Sequence, residues 1–115
     1  MLRDGHLKKG NAFEECARRW SSDREAPSAI EDVFNAAVHY VAYGIIVRHQ
    51  KDIDSHSAQM RFLKGVEEFD LLDVYYRIEK IRISSVYGGG WNGDRVEKAL
   101  ELLEKVKEWT VMDGE

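Results

Sequence analysis

The stretch from residue 28 to residue 50 constrains the fold of this chain more than any other feature. Its apolar residues recur at helical spacing, but they cover nearly the whole circumference of the predicted helix. They are Ile30, Val33, Phe34, Ala37, Val38, Val41, Tyr43, Ile45, Ile46 and Val47. A helix that is apolar nearly all round has to be buried by several neighbours. We therefore expect this helix at the centre of the fold, surrounded by other helices of the chain or also by a second subunit.

Four further amphipathic segments supply those neighbours. They are residues 7–20, 56–65, 68–86 and the segment that begins at Asp94. Ser28 is followed three residues later by Glu31, which is the spacing of a capping box at the start of the central helix. Short connections between long helices favour antiparallel neighbours. The sequence therefore predicts an all-α fold, a single domain over residues 1–115 built as an up-and-down bundle of four to five helices.

Composition argues against several functional classes. The 115 residues include 17 basic and 21 acidic side chains, so the net charge of −4 disfavours a broad nucleic-acid surface but allows a small nucleotide site. Cys16 is the only cysteine, which excludes an intramolecular disulfide, and its position on the first helix predicts a packing role. The chain begins without the apolar stretch of a signal peptide, and residues 36–47 are too few to span a bilayer. We expect a cytoplasmic protein without a membrane partner.

Arg82 and Tyr87 lie five residues apart, where the fourth predicted helix meets a glycine-rich turn that begins at Gly88. The planar guanidinium group of arginine matches the oxygens of phosphate or carboxylate, and tyrosine adds a hydroxyl donor and a flat face. The pattern therefore predicts a phosphate or nucleotide site. The alternative is an arginine that pairs with Glu79 or another local carboxylate at the end of its helix.

The four histidines do not have the spacing of a metal site. His49 and His56 flank a polar turn with Asp52 and Asp54, but no two histidines stand four residues apart on one helical face. We interpret His49 and His56 as solvated turn residues, and we predict neither a metal nor a cofactor. His39 lies inside the apolar central helix, so we expect a hydrogen-bonded core histidine there rather than a general base.

Three segments together resemble the HEPN superfamily of small helical-bundle domains. The sequence Asn-Ala-Ala-Val-His-Tyr-Val-Ala-Tyr at residues 35–43 is similar to the aromatic, alanine-containing central helix of these domains. The sequence Asp-Ser-His-Ser at residues 54–57, followed by Phe62, resembles the family's His-Ser turn before a short helix. Arg82, followed after four residues by Tyr-Gly, is similar to the pattern at the end of the family's penultimate helix. The resemblance covers most of the chain from the second helix onward.

The resemblance implies a bundle of four or five helices that forms homodimers. Many members of the family act with a separately encoded minimal nucleotidyltransferase in toxin–antitoxin pairs, and others are metal-independent ribonucleases. The ribonucleases need an arginine that is followed, after four to six residues, by a histidine. Arg82 matches that arginine. No histidine stands at the matching positions, which are occupied by Tyr87, Gly88 and Gly89. Val86 replaces the acidic residue that usually precedes the tyrosine.

The missing histidine decides the order of the functional hypotheses. RNA cleavage by a 2′-hydroxyl needs a group that moves protons near neutral pH, whereas tyrosine titrates at about 10. Our first hypothesis is a non-catalytic homodimer that binds a nucleotide, an RNA end or a partner nucleotidyltransferase. The residues predicted to contact the ligand are Arg82, Tyr87, Gly88 and His56. One alternative is a weak toxin-type ribonuclease in which His56 or His39 comes from elsewhere in the fold or from the other subunit. Another is a purely structural assembly or adaptor subunit.

Overall fold

Five α-helices account for most of the chain that the computed structural model describes. The structure describes residues 2–20, 23–87 and 93–112, and of residues 23, 85–87, 93, 111 and 112 only the backbone. The helices are α1 (Arg3–Arg18), α2 (Ala26–His49), α3 (His56–Gly65), α4 (Phe69–Tyr87) and α5 (Gly93–Lys107). A 3-10 turn (Asp23–Glu25) precedes α2, and a π-helical turn (Glu108–Met112) follows α5. Over these residues the predicted all-α class is confirmed.

The helix boundaries agree with the sequence prediction at α3 and differ most at α1 and α2. Helix α1 begins at Arg3, four residues before the predicted start. Helix α2 begins at Ala26, so Ser28 lies inside the first turn and the predicted capping box is wrong. Pro27 explains the earlier start, because the first turn of a helix needs no backbone N–H from this residue and favours its fixed φ.

Helices α1 and α2 form an antiparallel pair. Near the start of α1, His6 hydrogen-bonds to His39 in the second half of α2. Just beyond the end of α1, Trp20 packs against the cluster that contains Ala29, near the start of α2. The two helices therefore contact each other over most of the length of α1.

Helices α4 and α5 complete an up-and-down bundle. Arg82, near the end of α4, lies on Phe34 near the start of α2, so these two helices are antiparallel. Arg95, near the start of α5, donates a 2.8 Å hydrogen bond to Ser84 near the end of α4, so α4 and α5 are antiparallel as well. The π-helical turn after α5 packs on Gly44 near the end of α2. The short helix α3 is inserted between α2 and α4.

Helix α2 has the central position that its composition predicts. Thirteen of its 24 residues are buried, and it contacts each of the other four α-helices. By length and mean hydropathy alone, this helix is also long and apolar enough to cross a membrane. Its burial inside the bundle accounts for the same composition, as in the core helix of a globular protein. The absence of a membrane partner stays a prediction.

Glu14 is a buried carboxylate that links α1, α2 and α5. It accepts hydrogen bonds from the hydroxyl group of Tyr40 (2.6 Å) and from Nε of Arg18 (2.8 Å), and Nζ of Lys107 lies 3.0 Å away. Burial alone would raise the pKa of Glu14, but these three partners outweigh it and lower the pKa below its ordinary value. The carboxylate is therefore charged at neutral pH and holds three helices in register.

Cys16 does not have the packing role that we predicted, because it is exposed. The buried side of α1 consists of His6, Gly10, Glu14 and Ala17, which follow each other at helical spacing. Two of these residues are polar and two are small, so this side of the helix does not stand out in an apolar pattern. Cys16 lies beside this stripe and faces outward.

Gly10 allows α1 to lie close to the ring of Tyr40 on α2. A Cβ atom at this position would lie 2.7 Å from Cε1 of Tyr40, whose side chain is fully buried. We expect Gly10→Ala to destabilise the protein by about 1–3 kcal/mol through overpacking, although alanine favours helices. Gly65→Ala is the matched control, since a Cβ there meets no atom within 4 Å. Urea denaturation should give a free energy of unfolding for Gly65→Ala at or above that of the native chain. Equal stability of the two variants would contradict the close contact.

Candidate functional site

The side chains of Arg82 and His56, two of the predicted ligand contacts, meet at the ring of Phe34. Helix α2 contributes Phe34 and Glu31, α3 contributes His56 as its first residue, and α4 contributes Arg82. Two further residues of α4 complete the group, Tyr75 and Glu79, which precede Arg82 at helical spacing. We call this group the Phe34 site: Glu31, Phe34, His56, Tyr75, Glu79 and Arg82.

Arg82 is held between an aromatic ring and a carboxylate. Its Cζ atom lies 4.3 Å from the centre of the Phe34 ring, which is the geometry of a cation–π contact. Its Nη1 atom lies 3.5 Å from Oε2 of Glu31, on the neighbouring helix. The Arg82 side chain is 30% exposed as a whole, although its Nε atom is buried. The sequence did not decide whether Arg82 pairs with Glu79 or with another carboxylate, and the structure places Glu31 beside its guanidinium group.

His56 is packed among aromatic rings, so our interpretation of it as a solvated turn residue is wrong. Its ring centre lies 5.0 Å from that of Phe34 and 4.7 Å from that of Tyr75, which it meets edge to face. Its Nε2 atom is buried and makes no hydrogen bond with the described residues, although Oε2 of Glu79 lies 3.5 Å away. A small movement of Glu79 would bring the two atoms into hydrogen-bond distance.

The pKa of His56 is lowered below its ordinary value. Burial is the main cause, because it disfavours the charged imidazolium. Glu79 opposes this shift, and the positive charge of Arg82 reinforces it. His56 is therefore neutral at pH 7, with a ring nitrogen that can accept a proton.

Gln59 fixes α3, and with it the position of His56. The side chain of Gln59 is fully buried, and its amide nitrogen donates hydrogen bonds to the backbone oxygens of Val38 (3.0 Å) and Ile53 (2.8 Å). Its Oε1 atom accepts a hydrogen bond from the hydroxyl group of Tyr75. Gln59 lies one helical turn after His56, so these bonds to α2 and α4 hold the histidine at the shared surface of three helices.

The rest of the predicted site lies outside the described residues. This applies to Gly88 as a whole and to the side chain of Tyr87, whose backbone ends α4. Glu31, Phe34 and Glu79 were not predicted as site residues. Glu79 and Arg82 share one side of a predicted helix, and this spacing could have indicated a common site. Phe34 has the pattern of an ordinary core residue, so no signal in the sequence distinguishes it.

A second polar cluster joins the start of α1 to α2 and to the segment before α3. His6 is fully buried, and its Nδ1 atom lies 3.0 Å from Nδ1 of His39. On its other side, Nε2 of His6 lies 2.9 Å from Oδ1 of Asp52. The ring of His39 also stacks on Phe13, with the ring centres 5.8 Å apart. His39 is therefore hydrogen-bonded, as predicted, but it is only partly buried and is not a core residue. Its partner His6 was missed, because 33 residues separate the two in the sequence.

Comparisons of the chain with protein-family models, with curated proteins and with solved structures give no match. The functional argument therefore rests on the residues of the chain and their geometry.

The geometry of the Phe34 site predicts how two substitutions change the titration of His56. Glu79→Gln removes a nearby negative charge and should lower the pKa of His56 further, whereas Arg82→Gln removes a positive charge and should raise it. The NMR signal of the imidazole Cε1–H group, followed over pH, measures both shifts. Asp73→Asn is the control, since this carboxylate of α4 is exposed and pairs with Arg77. A His56 titration that neither site variant changes would contradict the arrangement.

Proposed function

We propose that this chain is a HEPN-like helical domain that binds a phosphate-bearing ligand, a nucleotide or an RNA end, at the Phe34 site. The observation that carries this proposal is the meeting of Arg82 and His56 over one aromatic ring. Arginine is the side chain best suited to phosphate, because its fork of N–H donors matches two phosphate oxygens at once. The neutral imidazole of His56 supplies a further hydrogen-bonding group beside it.

Arg82 is oriented for this role before a ligand arrives. Its contact with Phe34 restricts the side chain, so binding costs less conformational entropy than it would for a free surface arginine. The carboxylate of Glu31 occupies the position of an oxyanion at 3.5 Å and is 44% exposed. A phosphate group replaces Glu31 at the guanidinium group, and the glutamate side chain turns into solvent.

The resemblance to HEPN domains adds a partner nucleotidyltransferase, in a toxin–antitoxin pair, as another ligand for the same site. An acidic side chain of such a partner presents the same oxygen chemistry to Arg82 as a phosphate group does. Binding of small phosphate compounds separates the two cases, because a site specific for a protein partner does not retain ATP or a short RNA.

Arg82→Ala should weaken phosphate binding without unfolding the bundle. The loss of a charged hydrogen bond corresponds to a fall in affinity of about 10- to 100-fold. Isothermal titration with ATP and with a 5′-phosphorylated RNA oligomer, at fixed low salt, measures this loss. Arg77→Ala is the matched control, since Arg77 lies on the same helix but is exposed and pairs with Asp73. Unchanged affinity in Arg82→Ala, or an equal loss in the control, would remove Arg82 from the site.

A second candidate function is weak, metal-independent RNA cleavage, which the neutral state of His56 beside Arg82 favours. His56 takes the proton of the 2′-hydroxyl group as that oxygen bonds to phosphorus. Arg82 stabilises the charge that develops on the phosphate oxygens. The bond to the 5′-oxygen breaks, and this oxygen takes a proton from water. In this function His56 replaces the histidine that is missing after Arg82.

His56→Gln tests the second candidate separately from binding. If His56 is the base, this substitution should lower cleavage of a labelled RNA in EDTA by about 100-fold or more, since general bases contribute about 10²–10⁴-fold. The product of the native chain should end in a 2′,3′-cyclic phosphate. His49→Gln provides the control, because His49 packs against Phe62 instead of the Phe34 site. Absence of cleavage by the native chain leaves phosphate binding as the function.

A further inference from the structure

Asp52, His6 and His39 are linked in that order by hydrogen bonds, and these bonds can persist only while the two imidazole rings carry no more than three ring protons between them. The two Nδ1 atoms of the histidines lie 3.0 Å apart, and a hydrogen bond between them needs one donor and one acceptor. The other nitrogen of His6 lies 2.9 Å from the Asp52 carboxylate, to which it donates. Two neutral rings carry two protons and satisfy both bonds. A third proton on Nε2 of His39 leaves them intact, but a fourth places protons on both facing nitrogens and breaks the link.

We infer that these three side chains form an acid-sensitive latch, which holds the start of α1 on the bundle and opens when both histidines become cationic. In the closed state the two rings share at most three ring protons. In the open state each ring exposes both of its nitrogens to water and carries two protons in acid. Opening therefore takes up a proton, and acidification favours it.

The groups around His6 and His39 support the opening of the latch in acid rather than in base. Burial lowers the pKa of His39 from its ordinary value, and electrostatic interaction with His6 and Lys9 on α1 lowers it further. Asp54, in the segment between α2 and α3, opposes the shift. His6 is fully buried beside Asp52, so its ring has no access to water while the latch is closed. The stability that a lowered histidine pKa provides is present above the unfolded value of 6.5 and is lost as pH falls below it.

The opening is confined to the first two turns of α1. Beyond them, Glu14 anchors the helix through Tyr40, Arg18 and Lys107. The pKa of Glu14 is lowered, so this second anchor stays charged at pH values where histidines already carry their protons. At pH values low enough to protonate both histidines but not Glu14, the N-terminal half of α1 is released while its C-terminal half remains on the bundle.

Hydrogen exchange tests the latch in the full chain. From pH 7.5 to pH 5.0, the protection of backbone amides in residues 3–10, corrected for the intrinsic rate, should fall by up to about 30-fold relative to α5. This factor corresponds to one excluded proton on a group that titrates near 6.5 when free. His39→Asn should abolish the fall, because its amide group replaces the donor near Nδ1 but does not titrate. His49→Asn, on the same helix, should behave like the native chain. A fall that His39→Asn retains in full would overturn the proposal.

A second measurement on the native chain applies even if His39→Asn does not fold. The Cα atom of Gly10 faces the ring of Tyr40, so the NMR chemical shifts of its Hα protons report whether α1 is docked. Imidazole ¹⁵N shifts report how many protons the two rings carry. We expect the fourth ring proton to appear only together with a change in the Gly10 signal. Four ring protons with an unchanged Gly10 signal would show that the pair does not act as a latch.

Discussion

Helix α2 buries apolar residues against several neighbours at once, and exposing them to water would cost much of the hydrophobic stabilisation, so the positions of the other helices follow from this constraint. Its buried residues extend from Ala26 to Ile45 and face α1, α4 and α5 in turn. Phe34 shows how a functional site arises from such a helix. Its ring is almost fully buried as part of the core, yet the guanidinium group of Arg82 and the imidazole of His56 both pack against it. A residue of the apolar core thus brings together Arg82 and His56, which are far apart in the sequence.

Hydrophobic burial alone does not determine how each helix that packs on α2 is rotated or shifted along it. Hydrogen bonds between buried polar groups determine both. Three of these hydrogen bonds start from consecutive residues of α2. His39 bonds to His6, Tyr40 bonds to Glu14, and the backbone oxygen of Val38 accepts a bond from Gln59. A slip of α1 by one residue would leave His6 and Glu14 buried without partners, at a cost of about 1–3 kcal/mol or more for each group. Apolar contacts alone would tolerate the same slip more readily. These bonds therefore specify one arrangement among several that would bury a similar area.

The sequence was sufficient for the five helices of the described residues and for the central place of α2. It also singled out Arg82, whose role in a site stays a prediction. These features depend on local pattern, since periodicity and the end of α4 can be recognised within about 20 residues. The partners of Arg82 could not be predicted in the same way. Glu31 was assigned to a helix cap that does not form, and His56 to a solvated turn, because only tertiary packing brings them beside α4. The buried side of α1 was missed for a related reason: Gly10 and Glu14 give no apolar signal.

The charges of the Phe34 site constrain any ligand that binds there. Arg82 supplies one positive charge, Glu31 and Glu79 supply two negative charges, and His56 is neutral at pH 7. A phosphate group is favoured only when Glu31 leaves the guanidinium group or His56 takes a proton. Under the proposed function, bound phosphate stabilises the imidazolium form of His56, so linkage requires affinity to rise as pH falls through the histidine range. Acid opens the proposed latch over the same range, but that event takes place at His39, more than one turn along α2 and among different partners. His39 contacts His6 and Phe13, whereas His56 packs against Phe34 and Tyr75, so the two histidines have no direct contact partner in common among the described residues. Under the two proposals, the domain therefore takes up protons at two separate sites.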